Sequence, residues 1–85
     1  MNTIGIEMTP AEKAAQRLRS RSMKQLLSEF VLTGILYDAD PVLYKDIPTV
    51  RGWYMDELKR RDPVAYDDWV LLSGEDQDLY EFFNT

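Results

Sequence analysis

The sequence contains neither cysteine nor histidine. Without cysteine the chain has no disulfide, no thiolate metal ligand and no cysteine nucleophile. Without histidine it lacks the commonest general base, the commonest zinc ligand and the usual partner of a nucleophilic serine. These two absences remove most catalytic arrangements, and we therefore predict that the protein is not an enzyme.

Long apolar runs and phosphate-binding glycine loops are also missing. The most apolar stretch, residues 30–37, is far shorter than the ~18–20 consecutive apolar residues of a membrane-spanning helix. The four glycines are scattered, and no GxGxxG or Walker pattern occurs. We therefore expect a cytoplasmic protein that uses no cofactor and does not bind a membrane.

Closely spaced carboxylates occur at residues 56–57, 67–68 and 75–78. Neighbouring residues on a helix do not face one another, so these carboxylates do not predict a catalytic pair. Residues 75–78 also lack the glycine and the distant glutamate of a calcium loop, and we predict no metal site. We interpret these acids as solvated helix faces, with Asp56–Arg60 and Glu57–Arg61 as ion pairs four residues apart.

What the sequence does contain is typical of one small helical domain. It has 85 residues, of which 45% are hydrophobic and 12% are aromatic, a globular composition. Residues 1–8 show no helical periodicity and are predicted to be a flexible tail. Residues 9–85 are predicted to form the domain.

Two capping boxes mark the first helices. Residues 9–12 read Thr-Pro-Ala-Glu and residues 22–25 read Ser-Met-Lys-Gln, so each begins with a hydroxyl side chain and ends with an acid or amide. They predict a first helix from Pro10 to about Arg19 or Arg21, a break near residues 20–22, and a second helix from Met23 to about Tyr37. One continuous helix through the break is the alternative.

Residues 49–69 are predicted to form two helices joined at a corner, and the rest of the chain is expected to pack around them. Asp62 and Pro63 predict the start of the fourth helix. Ser73 and Gly74 are expected to end it, before a short fifth helix. The predicted fold is an all-α, compact bundle of four to five short helices with no sheet. The predicted core contains Leu26, Leu27, Phe30, Val50, Trp53, Tyr54, Leu58, Trp69 and Val70.

Charge is unevenly distributed along the chain, whose overall net charge is −5. Residues 1–24 contain five basic and two acidic side chains, a net charge of +3. Residues 62–85 contain seven acidic side chains and no basic one, a net charge of −7. This polarity predicts one acidic and one basic surface.

Residues 22–70 resemble a group of small uncharacterised accessory proteins carried by phages, plasmids and integrative elements of Gram-positive bacteria. The resemblance depends on Val50-Arg51-Gly52-Trp53 and Met55-Asp56-Glu57-Leu58, followed by Arg61, Pro63, Ala65 and Trp69. It implies a context of mobile DNA and brings no catalytic residues.

Our main functional hypothesis is a non-enzymatic protein–protein interaction module acting on a host or element protein. An acidic helical face would bind a basic partner, such as a nucleic-acid-binding protein that it inhibits. The predicted partner-binding residues are Asp67, Asp68, Glu75, Asp76, Asp78 and Glu81.

The alternative is a small DNA-binding transcriptional regulator that uses its basic first helix against phosphates. The overall pI near 4.5 disfavours it, because nucleic-acid binders usually carry a basic surplus. Its predicted nucleic-acid-binding residues are Lys13, Arg17, Arg19, Arg21 and Lys24.

We also expect a homodimer, because a domain of this length buries a small core. The end of the second helix, with Val31, Leu32, Ile35 and Leu36, is one predicted contact. Pairing of the basic first helix with the acidic C-terminal region of a second chain is another. The alternative is a monomer in which Leu79, Phe82 and Phe83 of the fifth helix cover the apolar patch.

Overall fold

Helices make up most of the structure, a computed structural model that describes residues 7–83. No β-strand occurs within that range, which confirms the predicted all-α class. Residues 1–6 of the predicted tail lie outside the described part. The helices are α1 (Pro10–Arg19), α2 (Met23–Ala39), α3 (Ile47–Arg61), α4 (Pro63–Leu72) and α5 (Leu79–Phe83). A 3₁₀ turn at Asp76–Asp78 leads directly into α5.

Both predicted capping boxes are formed. Thr9 Oγ1 accepts from the Glu12 amide at 3.1 Å, and Glu12 Oε1 accepts from the Thr9 amide at 2.8 Å. Ser22 and Gln25 make the same reciprocal pair at 3.1 and 2.9 Å. Each box satisfies amides that the first helical turn leaves without partners. The helix is therefore interrupted between α1 and α2, as predicted.

The corner between α3 and α4 is also as predicted. Asp62 Oδ1 accepts from the Ala65 amide at 3.0 Å, and Pro63 occupies the first helical position. Packing then places α3 at the centre, in contact with α1, α2 and α4, while α5 packs chiefly on α4. Residues 49–69 thus form most of the central helix, α3, and of its neighbour, α4.

The core lies where these helices converge. Its buried members are Leu18, Leu26, Leu27, Phe30, Leu58, Ala65, Trp69, Leu79 and Phe83. Trp53 and Tyr54 are half-buried and pack against its edge, and Val50 is half-buried as well. Val70 was predicted to be buried, but it is 53% exposed. It lies about 100° around the helix from Trp69, which takes the inward position.

Candidate functional site

A polar network centred on Arg51 joins α3 to α2 and to the 3₁₀ turn. Arg51 Nη1 and Nη2 donate to the two carboxylate oxygens of Asp76 at 3.0 and 2.7 Å. Nη1 also donates to the Phe30 carbonyl at 3.1 Å and to Thr33 Oγ1 at 3.0 Å. The guanidinium carbon lies 3.9 Å from the centre of the Phe30 ring, within cation–π range. The network therefore attaches the C-terminal segment to the core.

Gly34 lies against this network, beside a shallow groove of about 430 Å³. A Cβ atom at Gly34 would lie 2.6 Å from Asp76 Oδ2 and 3.0 Å from Arg51 Nη1. Gly52 is also helical, but a Cβ atom there would meet nothing within 4 Å. A side chain at Gly34 would therefore displace the Arg51–Asp76 pair, whereas Gly52 has room for one.

Gly34→Ala is expected to lower the free energy of unfolding by ~1–2 kcal/mol, because the ion pair must shift to admit the methyl group. Gly52→Ala is the matched control and is expected to raise it by up to ~1 kcal/mol through helix propensity. Urea unfolding followed by circular dichroism measures both. Equal stabilisation by the two substitutions would contradict the close approach at Gly34.

A second network surrounds Glu57, whose side chain is 3% exposed. Arg60 donates to it at 3.1 and 2.8 Å, and Arg61 Nε donates at 2.7 Å. Arg61 Nη2 donates onward to the carbonyls of Leu18 and Arg19 at 2.8 and 3.2 Å. The network therefore fixes the end of α1 to α3.

These contacts correct the prediction that residues 56–57 lie on a solvated face. Glu57 is buried, although its predicted pair with Arg61 is formed. Arg60 bonds Glu57, three residues away, instead of the predicted Asp56. The reason is that the inward carboxylate has lost water and gains most from two arginines.

Hydrogen bonding, first from Arg60 and then from Arg61, holds the pKa of Glu57 below its ordinary value of 4.5. A lowered pKa means that the unfolded chain binds more protons, so this contribution to stability is present above pH 4.5 and is lost as pH falls through the folded pKa. Glu57→Gln is therefore expected to cost most near neutral pH and least in acid. Urea unfolding of both proteins across this range measures the difference, and a pH-independent difference would contradict the ion pairs.

The predicted partner-binding carboxylates fall into two groups. Asp76 binds Arg51, and Asp78 Oδ2 accepts from the Ser73 hydroxyl at 2.7 Å. Both carboxylates therefore accept hydrogen bonds from side chains of the same fold. The exposed members of the predicted set are Asp67, Asp68, Glu75 and Glu81.

Two of the exposed acids lie on an apolar stripe of α4. Val64, Asp67, Asp68 and Leu71 recur at intervals of three and four residues, so they share one side of the helix. Val64 is 71% exposed and Leu71 is 80% exposed. We call these four residues the α4 face. Val64 and Leu71 were not among the predicted partner-binding residues, although the inward position of Trp69 places both of them outside.

The neighbouring end of α4 is also apolar and exposed. Val70 is 53% exposed and Leu72 is 71% exposed. Trp69 fixes this end, because its Nε1 donates to the Glu75 carbonyl at 2.8 Å. The α4 face is therefore held on a rigid helix that is anchored on its opposite side.

The basic residues of the alternative hypothesis are mostly exposed. Lys13, Arg17, Arg19 and Lys24 are exposed, whereas Arg21 is half-buried. Arg21 Nε lies 3.5 Å from Glu29 Oε2. Arg17 and Arg19 flank opposite sides of buried Leu18, so the cations do not form a single line.

Metal clusters, membrane-spanning helices and similarity to known proteins give no indication of the function. Within residues 7–83, no cluster of three or more acidic side chains is arranged to hold a metal ion. No helix in that range combines the length and apolar character needed to cross a bilayer. Comparison with protein-family models, curated proteins and solved structures finds no match to this chain. Function is therefore inferred from the chemistry of the surface itself.

Proposed function

We propose that this protein is a non-enzymatic interaction module that binds a basic protein through the α4 face. The observation that supports this most is the exposure of Val64 and Leu71 on the same stripe as Asp67 and Asp68. Single exposed apolar residues are common, but a helix that groups them usually binds another macromolecule.

The spacing of the α4 face suits a helix that lies in a groove. Anchors at i, i+3, i+4 and i+7 are the usual contacts of such a helix. Val64 and Leu71 would fill apolar pockets, and Asp67 and Asp68 would lie between them. Because Asp62 caps α4 and Trp69 anchors it, little conformational entropy is lost on binding.

Charge defines the chemistry of the partner. Within residues 7–83, the ion pairs do not include Asp67 or Asp68, so both carboxylates are available to a partner. The complementary surface is an apolar groove bordered by lysine or arginine. A nucleic-acid-binding protein has such a basic border, and occupying it would inhibit that protein. This fits an accessory protein of a Gram-positive phage, plasmid or integrative element.

Affinity capture from a Gram-positive lysate, with variants on two faces, tests the proposal. One variant removes the apolar anchors (Val64→Ser with Leu71→Ser), and another reverses the charges (Asp67→Lys with Asp68→Lys). The matched control is Val42→Ser with Leu43→Ser, which removes two exposed apolar residues from the turn after α2. Circular dichroism checks that every variant is folded.

We expect the wild type and the control with Val42→Ser and Leu43→Ser to capture the same basic protein. Each α4-face variant should weaken that complex by about tenfold or more, since interface anchors dominate affinity. A captured protein that binds all four chains equally would contradict the proposal. Failure of the wild type to capture any protein at low and at moderate salt would also contradict it.

DNA binding by α1 together with the first turn of α2 is the second candidate, favoured by the exposure of Lys13, Arg17 and Arg19 on α1 and of Lys24 on α2. Phosphate contacts predict a steep loss of affinity for duplex DNA as salt rises, with a smaller slope for Arg17→Ala. Lys45→Ala removes one exposed charge outside α1 and serves as the control. No binding even at low salt would exclude this function.

A further inference from the structure

The outward side of α2 forms a largely apolar stripe that no other helix of residues 7–83 covers. Ser28, Leu32, Ile35 and Ala39 recur at intervals of four, three and four residues, the spacing of a coiled-coil seam. Leu32 is 52% exposed and Ile35 is 60% exposed. Ser28 and Ala39 are also exposed. We call these four residues the α2 seam.

The structure corrects the patch expected from the sequence. Val31 packs against the core instead of facing outward. The fifth helix does not cover the remainder, because Leu79 and Phe83 are buried in the core. Leu32 and Ile35 therefore remain exposed beside a complete core.

The turn after α2 extends the apolar surface. Val42 is 83% exposed and Leu43 is 69% exposed. Asp40 holds this turn, since its Oδ1 accepts from the Leu43 amide and its carbonyl accepts from the Tyr44 amide, both at 3.0 Å. Two apolar side chains are thus presented by a hydrogen-bonded turn.

We propose that the α2 seam pairs with the α2 seam of a second copy in antiparallel orientation. A two-fold axis near residues 33–34 places Leu32 against Ile35 of the second copy. The small residues Ser28 and Ala39 then lie opposite each other and allow close approach. Because the interface is two-fold symmetric, each contact between two seam residues occurs twice in the dimer.

Charge favours a second copy on the α2 seam and disfavours one on the α4 face. The seam residues are uncharged, so two seams meet without repulsion even though each chain carries −5. Two α4 faces would bring four aspartates together. The charged residues of α2 flank the seam: Glu29 accepts from Tyr54, and Asp38 lies with Ile35 along the groove beside Arg51.

The same charges select the antiparallel orientation over the parallel one. Lys24 lies at the first turn of α2, and Asp38 and Asp40 lie at its end. Antiparallel pairing brings each basic end to the acidic end of the second copy. Parallel pairing would place like charges together. The dimer leaves the α4 face unpaired and does not depend on the function proposed for it.

Sedimentation equilibrium tests the assembly. We expect the wild type to sediment at twice its 10.0 kDa mass and to remain a dimer at about 1 M salt. Ile35→Glu should raise the dissociation constant by about tenfold or more, since it places a charge in the contact. Leu71→Glu is the matched control and should leave the dimer intact.

Cysteine cross-linking tests the orientation, because the natural chain has no cysteine. Mixed Ser28→Cys and Ala39→Cys chains should form a mixed disulfide on mild oxidation. Either chain alone should form little, since equal positions are about eleven residues apart along antiparallel helices, roughly 16 Å. Leu71→Cys is the background control.

Three outcomes would overturn the proposal. A single 10.0 kDa species from micromolar to millimolar concentration would exclude the dimer. Strong cross-linking of Ser28→Cys to itself would indicate the parallel orientation. A dimer that dissociates in salt and ignores Ile35→Glu would indicate pairing of the basic α1 with the acidic C-terminal region.

Discussion

Trp69→Ala is expected to lower the free energy of unfolding by ~3–5 kcal/mol, the usual cost of removing a buried aromatic ring. Trp69 is 3% exposed. Its ring lies 6.1 Å from that of Phe30 in an edge-to-face arrangement and 6.0 Å from that of Tyr66. Alanine would leave a cavity between α2 and α4. Small domains have only ~5–15 kcal/mol of stability, so a large decrease in the urea midpoint should be visible by circular dichroism.

Two controls accompany Trp69→Ala: one separates the effect of the ring from that of its hydrogen bond, and the other tests the second tryptophan. Trp69→Phe keeps most of the ring but loses the bond from Nε1 to the Glu75 carbonyl, and should cost ~1–2 kcal/mol. Trp53→Ala removes the other tryptophan, which is half-buried, and should cost less than Trp69→Ala. Equal losses at the two tryptophans would contradict the central position of Trp69.

Arg51→Met is expected to cost ~2–4 kcal/mol, because it keeps an apolar side chain but removes every guanidinium bond. Asp76 would lose its partner, and the Phe30 carbonyl and Thr33 hydroxyl would each lose a donor. Arg51→Lys should recover little, since an ammonium group cannot bond both carboxylate oxygens in one plane. Urea unfolding measures both substitutions.

Arg60→Met is the matched control for Arg51→Met. Arg60 also bonds a carboxylate with two nitrogens, but its side chain is 52% exposed and Arg61 still bonds Glu57 when it is removed. We expect a smaller loss than for Arg51→Met, because water screens an exposed ion pair. A double-mutant cycle of Arg51→Met with Asp76→Asn should show coupling, and strict additivity would contradict a network that joins α3 to the C-terminal segment.

The helices were predictable because their signals are local. Thr9 with Glu12, and Ser22 with Gln25, determine helix starts within three residues of chain. Asp62 does the same for α4. Such bonds form wherever these residues begin a helix, so pattern alone identifies them.

The core was only partly predictable. Leu26, Leu27 and Phe30 repeat at helical spacing in one long stripe and are buried as predicted. On α4, Trp69 is buried as predicted, but Val70 was also predicted to be buried and is exposed, whereas Ala65 is buried. A short helix with many apolar residues does not define its inward stripe clearly. Leu79 lies in a five-residue helix that gives almost no periodic signal.

The Arg51–Asp76 contact was not predictable from sequence. Its partners are 25 residues apart, and only the packing of α2, α3 and the 3₁₀ turn brings them together. Asp76 was consequently assigned to a partner-binding surface, although it is bound within the fold. The α4 face was not predicted, because its exposed residues can be identified only once the buried side of α4 is known.

Nuclear magnetic resonance mapping with the captured basic protein is the most direct test of the proposed function. The partner is titrated into isotope-labelled wild-type chain, and amide and methyl signals are followed. We predict that the largest changes fall on Val64, Asp67, Asp68 and Leu71, with α1 and the α2 seam little affected. Changes confined to α1 or to the α2 seam, with the α4 face unaltered, would contradict it.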